Sequence, residues 1–336
     1  MSPQHLRQYA LRSMQSATLL RSLASSSFAG RISHHAPATS TMIPTWSRRA
    51  MTHEASFKAP LHEAQNVFPP LKEFDLRGRV FVVTGGGRGL GLSMAEALME
   101  AGGKVWCLDR LEEPDDEFLR VQSRASQGFD GSLHYDRIDV RDAKAMESTI
   151  SRIAADKSRL DGLIAAAGIQ QVQAALDYSV EDIQKMLDIN YTGVFMTATT
   201  VAREMMKYKT RGSILLVASM SGLIANKGLV SPVYNSSKAA VIQLGRNLAM
   251  EWGKVREDGS GGIRVNSLCP GHIVTPMVRE NFEKEPWLKE MWEKENMLGR
   301  LSSPEEFRGA ALYILSDAST FMTGTSFIID GGHTAW

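Results

Sequence analysis

Tyr234 and Lys238 stand four residues apart, and Ser219 precedes Tyr234 by fifteen. On a helix, positions i and i+4 share a face, so a phenol and an ammonium would lie side by side. A tyrosine ordinarily deprotonates near a pKa of about 10. A neighbouring ammonium favours the phenolate, as would an oxidised nicotinamide. Such a phenol can take a proton from an alcohol in one direction and give one to a carbonyl oxygen in the other. Ser219 would bind the substrate oxygen and steady the developing alkoxide. Asn190, in Asp188-Ile189-Asn190-Tyr191-Thr192-Gly193, offers a polar side chain that could hold a water linking Lys238 to solvent. Each feature has a plain reading by itself. A Tyr/Lys pair at this spacing is usually a solvated helix face, and an asparagine can simply bend its helix. The conjunction, in this order and after the turn described next, carries the argument.

That turn is Thr84-Gly85-Gly86-Gly87-Arg88-Gly89-Leu90-Gly91. A β-rich run, residues 79–84, leads into it, and a helical run, residues 93–101, leaves it. Gly85, Gly89 and Gly91, with Arg88 and Leu90 between them, would let backbone N–H groups and a helix N-terminus meet a pyrophosphate. Asp109 ends the next strand, 18 residues after Gly91. This is near the spacing of a carboxylate that binds the adenosine ribose hydroxyls. Its charge repels a 2′-phosphate and favours NAD(H). Arg88 and Arg110 could pair with a phosphate, which keeps NADP(H) open. Asp139 and Val140, expected at the end of the third strand, would flank the adenine, or serve simply as a strand end.

These residues need a frame to hold them. Strand-like runs at 79–84, 104–109, 133–140, 160–166, 213–219, 263–268 and 326–330 alternate with helical ones. The helical runs are 93–101, 115–127, 142–157, 180–207, 233–255 and 304–315. Such alternation implies an α/β fold with a parallel sheet and helices on both faces. The strands are continuous apolar runs, as expected where both faces are covered. No internal repeat or second domain appears, so residues 67–336 read as one doubly wound domain preceded by a separate segment, 1–66.

Residues 1–53 contain six arginines (Arg7, Arg12, Arg21, Arg31, Arg48, Arg49) and no Asp, Glu or Lys. That composition resembles a mitochondrial transit peptide, with Leu6, Ala10, Met14 and Ala17 on one helical face. A disordered tail in a cytoplasmic protein is the alternative. The rest carries the other 32 basic side chains against all 37 acidic ones, a net −5, so no broad basic face awaits nucleic acid. No apolar run approaches the roughly 18 residues of a membrane-spanning helix. The two cysteines, Cys107 and Cys269, fall in apolar strands and read as inert core thiols of a reducing compartment. No His/Cys/Asp/Glu grouping has metal-ligand spacing. Asn190-Tyr191-Thr192 and Asn235-Ser236-Ser237 fit the glycosylation pattern but fall within the expected active site of a chain without a secretory signal.

At this point the chain resembles the short-chain dehydrogenase/reductase family over about residues 70–336. The resemblance rests on Thr84-Gly85…Gly89…Gly91, Asp139-Val140, Asn190, Ser219, Tyr234…Lys238 and Pro270-Gly271-His272-Ile273-Val274-Thr275. It implies a single Rossmann-type domain, a seven-stranded sheet and a homotetramer. It implies that Asn190, Ser219, Tyr234 and Lys238 form a catalytic tetrad and that Ile273 and Thr275 contact the nicotinamide carboxamide. One departure is visible. Where the family usually has Asn-Asn-Ala-Gly, this chain has Ala165-Ala166-Ala167-Gly168, which removes an asparagine that ties strands together but leaves backbone contact at Ala167 and Gly168. Ser219 is preferred over Ser221 because Ser219-Met220-Ser221-Gly222 matches the family's Ser-x-x-Gly.

Within the family, the lead-in from Phe68 and the Gly-Gly-Gly-Arg-Gly-Leu-Gly turn look like fungal polyol/ketose dehydrogenases acting on arabinitol, mannitol or sorbose. The stretch 276–300, with Met277, Phe282, Trp287, Met291, Trp292 and Met297, reads as a lid. Its apolar character also suits a less polar ketone, polyketide or terpenoid, or serves only to pack the lid down. His272 reads as a strand-end histidine bound to backbone, or as a polar pocket residue. A dinucleotide-binding scaffold without turnover is the remaining class, which an intact tetrad argues against.

Overall fold

A computed structural model describes residues 71–125, 130–275, 278–279, 282–283 and 285–336. The expected N-terminal targeting helix, the lead-in as far as Pro70, and Met277 lie outside the described residues.

Seven parallel strands form one sheet. They are β1 (Val80–Thr84), β2 (Lys104–Asp109), β3 (Ser132–Arg137), β4 (Gly162–Ala165), β5 (Ser213–Val217), β6 (Arg264–Pro270) and β7 (Ser326–Ile329). Their order is β3-β2-β1-β4-β5-β6-β7. The chain therefore winds outward from β1 to one edge, returns to β4, and winds to the other edge. The reversal leaves a crevice beyond the carboxyl ends of β1 and β4, the place where such sheets bind ligands.

The helices are α1 (Gly89–Glu100), α2 (Asp116–Ala125), α3 (Ala143–Lys157), α4 (Val180–Leu187), α5 (Gly193–Lys207), α6 (Pro232–Trp252), α7 (Trp287–Glu295) and α8 (Arg308–Leu315). β1 reads Val-Phe-Val-Val-Thr and is buried throughout, because each face of the sheet carries a helical layer. On one face Val80, Val82, Leu163 and Leu216 pack with Ile150 and Ile153 of α3, Ala198 and Val201 of α5, and Val241 and Leu248 of α6. On the other, Phe81, Val83 and Leu215 pack with Leu92 and Leu98 of α1, Phe118 of α2 and Ile314 of α8. Fully burying one such side chain contributes about 1.5–3 kcal/mol. The site rests on a stiff double-sided core.

Two expected boundaries differ. The single helix expected over 180–207 is interrupted by a π turn, Asp188–Thr192, between α4 and α5. Periodicity alone does not reveal it, because apolar residues continue on either side. β3 stops at Arg137, so Asp139 and Val140 lie beyond the strand rather than at its end. Among the described residues, no helix is long and apolar enough to cross a membrane.

Candidate active site

The glycine turn follows β1. Gly85 adopts φ +68°, and a Cβ there would stand 2.8 Å from the backbone nitrogen of Ala167. A Cβ on Gly91 would stand 2.1 Å from the Gly85 carbonyl oxygen. Only glycine permits this closure of the turn onto α1 and onto the segment after β4. Arg88 is the N-cap of α1 and makes no side-chain capping bond, and the first turn of α1 holds no acidic residue. Gly89, Leu90 and Gly91 thus open an uncapped helix whose positive end faces the crevice, a setting fitted to a pyrophosphate. Asp109 stands beside it, its Oδ2 accepting the Gly87 N–H at 3.1 Å and its Oδ1 the Leu111 N–H at 3.3 Å. Arg88 and Arg110 are both exposed on its flanks. The donor set, backbone N–H groups with a carboxylate one strand over, fits a dinucleotide.

Asp139 is committed differently from the expectation for a bare adenine flank. Its carboxylate takes the Arg141 guanidinium at 2.6 Å and the Arg141 backbone N–H at 3.0 Å. The Arg141 hydrogen bond holds its carboxyl below the usual range. Val140 packs on the start of α5, where a Cβ on Gly193 would meet its Cγ2 at 2.8 Å.

The reacting residues gather where β4, β5 and β6 end. Ser219 caps a short 3₁₀ turn, Met220–Gly222, its Oγ accepting the Ser221 N–H at 3.1 Å. This turn lies directly on α6. A Cβ on Gly222 would stand 2.7 Å from the Lys238 carbonyl carbon, which gives a physical reason for the glycine of Ser-x-x-Gly. The close approach sets Ser219 beside the Tyr234 phenol, near enough to act on its titration. Lys238, one helical turn on, is buried and donates from Nζ to the Val217 carbonyl at 2.8 Å. Its Nζ lies 5.7 Å from the centre of the Tyr234 ring. Gly168 completes the floor, a Cβ there falling 3.3 Å from Asn190 Oδ1 and 3.5 Å from Lys238 Nζ.

Asn190 lies in the π turn and is fully buried. Its Oδ1 accepts the Ile169 N–H at 2.9 Å, and its Nδ2 donates to the Ile169 carbonyl at 2.9 Å and to Ser237 Oγ at 3.1 Å. Ser237 in turn donates to the Tyr234 carbonyl at 2.7 Å. The amide therefore ties the segment after β4 to α6. Ser237 was not singled out from the sequence. Its signal was its place between Tyr234 and Lys238, read there only as part of a glycosylation pattern. The missing family asparagine has a partial substitute, since the Ala167 N–H donates to Thr84 Oγ1 at 3.4 Å and the Ala166 N–H to the Thr84 carbonyl at 3.1 Å.

The electrostatics also depart from the simplest expectation. Burial raises the Tyr234 phenol, and the neighbouring Ser219 opposes that rise. Burial lowers the Lys238 amine to about 8. The lone protein, then, keeps the phenol protonated. Ile273 pairs in an isolated bridge with Ser302, and Thr275 Oγ1 accepts the Val278 N–H at 3.4 Å. Both follow β6 and close the far side of the crevice. The lid helix α7 packs on this side, where Leu229, Leu288, Trp292 and Leu301 form a small core with Phe282 and Met291 against it. Trp287 and Met297 are instead about half exposed. His272 Nε2 finds no hydrogen-bond partner in the protein, and the ring stacks on Trp292.

The family comparison agrees with this geometry. A family model described as Enoyl-(Acyl carrier protein) reductase matches residues 85–334. The chain belongs to the short-chain dehydrogenase/reductase family, an oxidoreductase class. It is 40% identical over 264 residues to the "Short chain dehydrogenases/reductase notP'" of Aspergillus versicolor, covering 78% of this chain and 89% of that one. It is 34% identical over 282 residues to a ribulose-forming D-arabinitol 2-dehydrogenase of Scheffersomyces stipitis, covering 81% and 98%. Among solved structures, a gluconate 5-dehydrogenase from Burkholderia cenocepacia in complex with NADP and tartrate is 28% identical, with a TM-score of 0.70 over 79% of this chain and 98% of that one.

Proposed function

We propose that this enzyme interconverts a secondary alcohol and a ketone with a nicotinamide dinucleotide, and that the physiological pair is a polyol and its ketose. The observation that carries the reading is the buried Tyr234 phenol beside Ser219, with the buried Lys238 amine one turn away and its Nζ 5.7 Å from the centre of the Tyr234 ring. When bound, the nicotinamide supplies or accepts the hydride. The α1 N-terminus and Gly85, Arg88, Gly89, Leu90 and Gly91 bind its pyrophosphate. Asp109 takes the adenosine ribose hydroxyls, Asp139 and Val140 border the adenine, and Gly168, Ile273 and Thr275 position the nicotinamide end.

Ser219 donates a hydrogen bond to the substrate oxygen. In reduction, Tyr234 gives its proton to that oxygen, a role its raised value suits. Lys238 near 8 is largely protonated at neutral pH, so its charge stabilises the phenolate left when Tyr234 gives up its proton. In oxidation the same charge, with that of the oxidised ring, lowers the phenol enough to act as base. Asn190 holds the floor of the site.

The carboxylate of Asp109 favours NAD(H); the exposed Arg88 and Arg110 leave room for NADP(H). The polyol reading is supported by the D-arabinitol 2-dehydrogenase likeness. A second reading, reduction of a less polar biosynthetic ketone, is favoured by the apolar core under α7. The experiment that separates them is a panel of ketoses, sugar alcohols and apolar ketones with NADH and NADPH. Turnover of ketoses with NADH supports the first reading, turnover of apolar ketones alone supports the second, and cofactor binding without turnover overturns both. We further propose that residues 1–53 direct the chain to mitochondria and that it assembles as a homotetramer. Localisation of a fluorescent fusion, with and without residues 1–66, and light scattering of the purified protein test these points.

A further inference from the structure

Two aromatic nitrogens beneath the lid lack partners. His272 follows β6 by two residues and is 8% exposed, and Trp292 lies in α7 and is 1% exposed. Their rings stack with centroids 3.9 Å apart and planes 5° from parallel. Neither His272 Nε2 nor Trp292 Nε1 reaches a hydrogen-bond partner in the protein. A buried polar atom left so costs about 1–3 kcal/mol, and native interiors rarely tolerate it. Two in one stacked pair mark a place where a group from outside the chain completes the bonding.

The chemistry of that group is narrow. An indole N–H only donates. The imidazole is neutral, burial pushing it down to about 3, so it donates at one nitrogen and accepts at the other. A hydroxyl can accept from the indole while donating to the imidazole or accepting from it. A carboxylate offers acceptors alone, and a hydrocarbon offers nothing.

The pair lies on the same sheet edge as the reacting groups. Val217 of β5 is in register with Leu268 of β6, and the Ala218 N–H donates to the Leu268 carbonyl at 2.8 Å. The Cys269 thiol lies close to the Ser219 backbone. His272 follows three residues later, so at roughly 3.3 Å per residue it lies at most about 10 Å further along the edge. A sugar-length chain can bridge much of that span. The pair is also fixed from behind. The His272 carbonyl accepts the Ser302 N–H at 3.1 Å and the Ser302 hydroxyl at 3.0 Å. Its ring meets the edge of His333 at 5.2 Å, and His333 Nδ1 lies 3.1 Å from Asn296 Oδ1, just past α7. Asn226 Nδ2, a third buried nitrogen without a partner, is on the loop that α7 covers, where Gly228 abuts Met291.

We propose that His272 Nε2 and Trp292 Nε1 form a hydroxyl-recognition subsite that holds the end of a polyhydroxy substrate remote from its reacting carbon. The inference rests on the polyol/ketose reading above and identifies the residues that enforce it. The pair selects ketoses and sugar alcohols over apolar ketones of the same length.

The test is steady-state reduction of a ketopentose and of 2-pentanone, which lacks the hydroxyls, by the unaltered full chain, by His272→Phe and by Trp292→Phe. Phenylalanine keeps a planar ring at either position and removes the nitrogen. Each variant is expected to lose about tenfold in kcat/KM on the ketopentose, mostly through KM, with 2-pentanone unchanged or improved. Equal losses on both substrates, or no loss on the ketopentose, overturn the subsite, because the nitrogens then bind only water or pack the lid. Should His272→Phe fail to fold, Trp292→Phe decides alone. If the unaltered enzyme ignores the ketopentose and reduces 2-pentanone, the polyol reading itself falls, an outcome distinct from a variant that merely fails to discriminate.

Discussion

The reacting edge and the lid edge of the same crevice are built on opposite plans. At the reacting edge the Asn190 amide, the Ser219 hydroxyl and the Lys238 amine each have partners within the chain. At the lid edge, His272 Nε2 and Trp292 Nε1 have none. Groups satisfied internally hold their geometry whether or not a ligand is present. Groups left unsatisfied gain most when a ligand arrives. The proton-transfer machinery is therefore preorganised, whereas the lid edge is where binding energy is still to be gained.

The contrast can be broken most forcefully at Tyr234. Tyr234→Phe removes the proton donor and keeps the ring, so turnover should fall by about 10²–10⁴-fold, while dinucleotide binding by fluorescence titration persists. An active variant would move the chemistry elsewhere. Asn190→Ala comes next. It strips partners from Ile169 and Ser237 in a fully buried place, and urea unfolding should show a loss of about 2–3 kcal/mol. A loss below the error of the measurement would show that the preorganised edge does not need its amide.

Asp109→Ala sharpens the cofactor half. The KM for NADH should rise about tenfold while that for NADPH holds or falls; no change in the NADH/NADPH ratio would remove the carboxylate from discrimination. Lys238 makes a smaller, pH-dependent contribution. Its folded value, about 8, lies below the ordinary 10.5. Between those values the unfolded chain binds the extra proton, so stability rises with pH across that window and the penalty is fully present below it. Urea unfolding at pH 7.5 and pH 10 should show this rise, and Lys238→Met should reduce it. The smallest effect is expected at Lys227→Ala, which removes an exposed ion pair to Glu295 of the lid at 3.2 Å. Stability should change by less than about 1 kcal/mol, as read by thermal unfolding.

Much of this was legible in the sequence, for local reasons. A β-rich run closing on glycines, a helix after it and Asp109 at the next strand end are short-range features, and the strands read as apolar runs because both faces are covered. Tyr234, Lys238 and Ser219 stood out by spacing. What escaped depends on distant pairs. Beyond Met186, one turn back, Asn190 bonds to Ile169 and Ser237, which lie 21 and 47 residues away. His333 reaches His272 only because β6 and β7 lie side by side. The balance at Tyr234 escaped for the same reason. Spacing announces a neighbouring ammonium, but only the folded surroundings decide that burial dominates the phenol, opposed by Ser219.

The π turn at Asp188–Thr192 has one more implication. It accommodates an additional residue between α4 and α5 without a loop. Forcing the segment into regular α geometry with every residue kept would re-phase everything beyond it by about 100°. Val194, Ala198, Val201 and Met205, now set into the core, would swing off it together. The stagger that puts a carboxamide beneath the active site is thus the same stagger that keeps the apolar face of α5 inward, and the helix cannot be ironed straight without losing both.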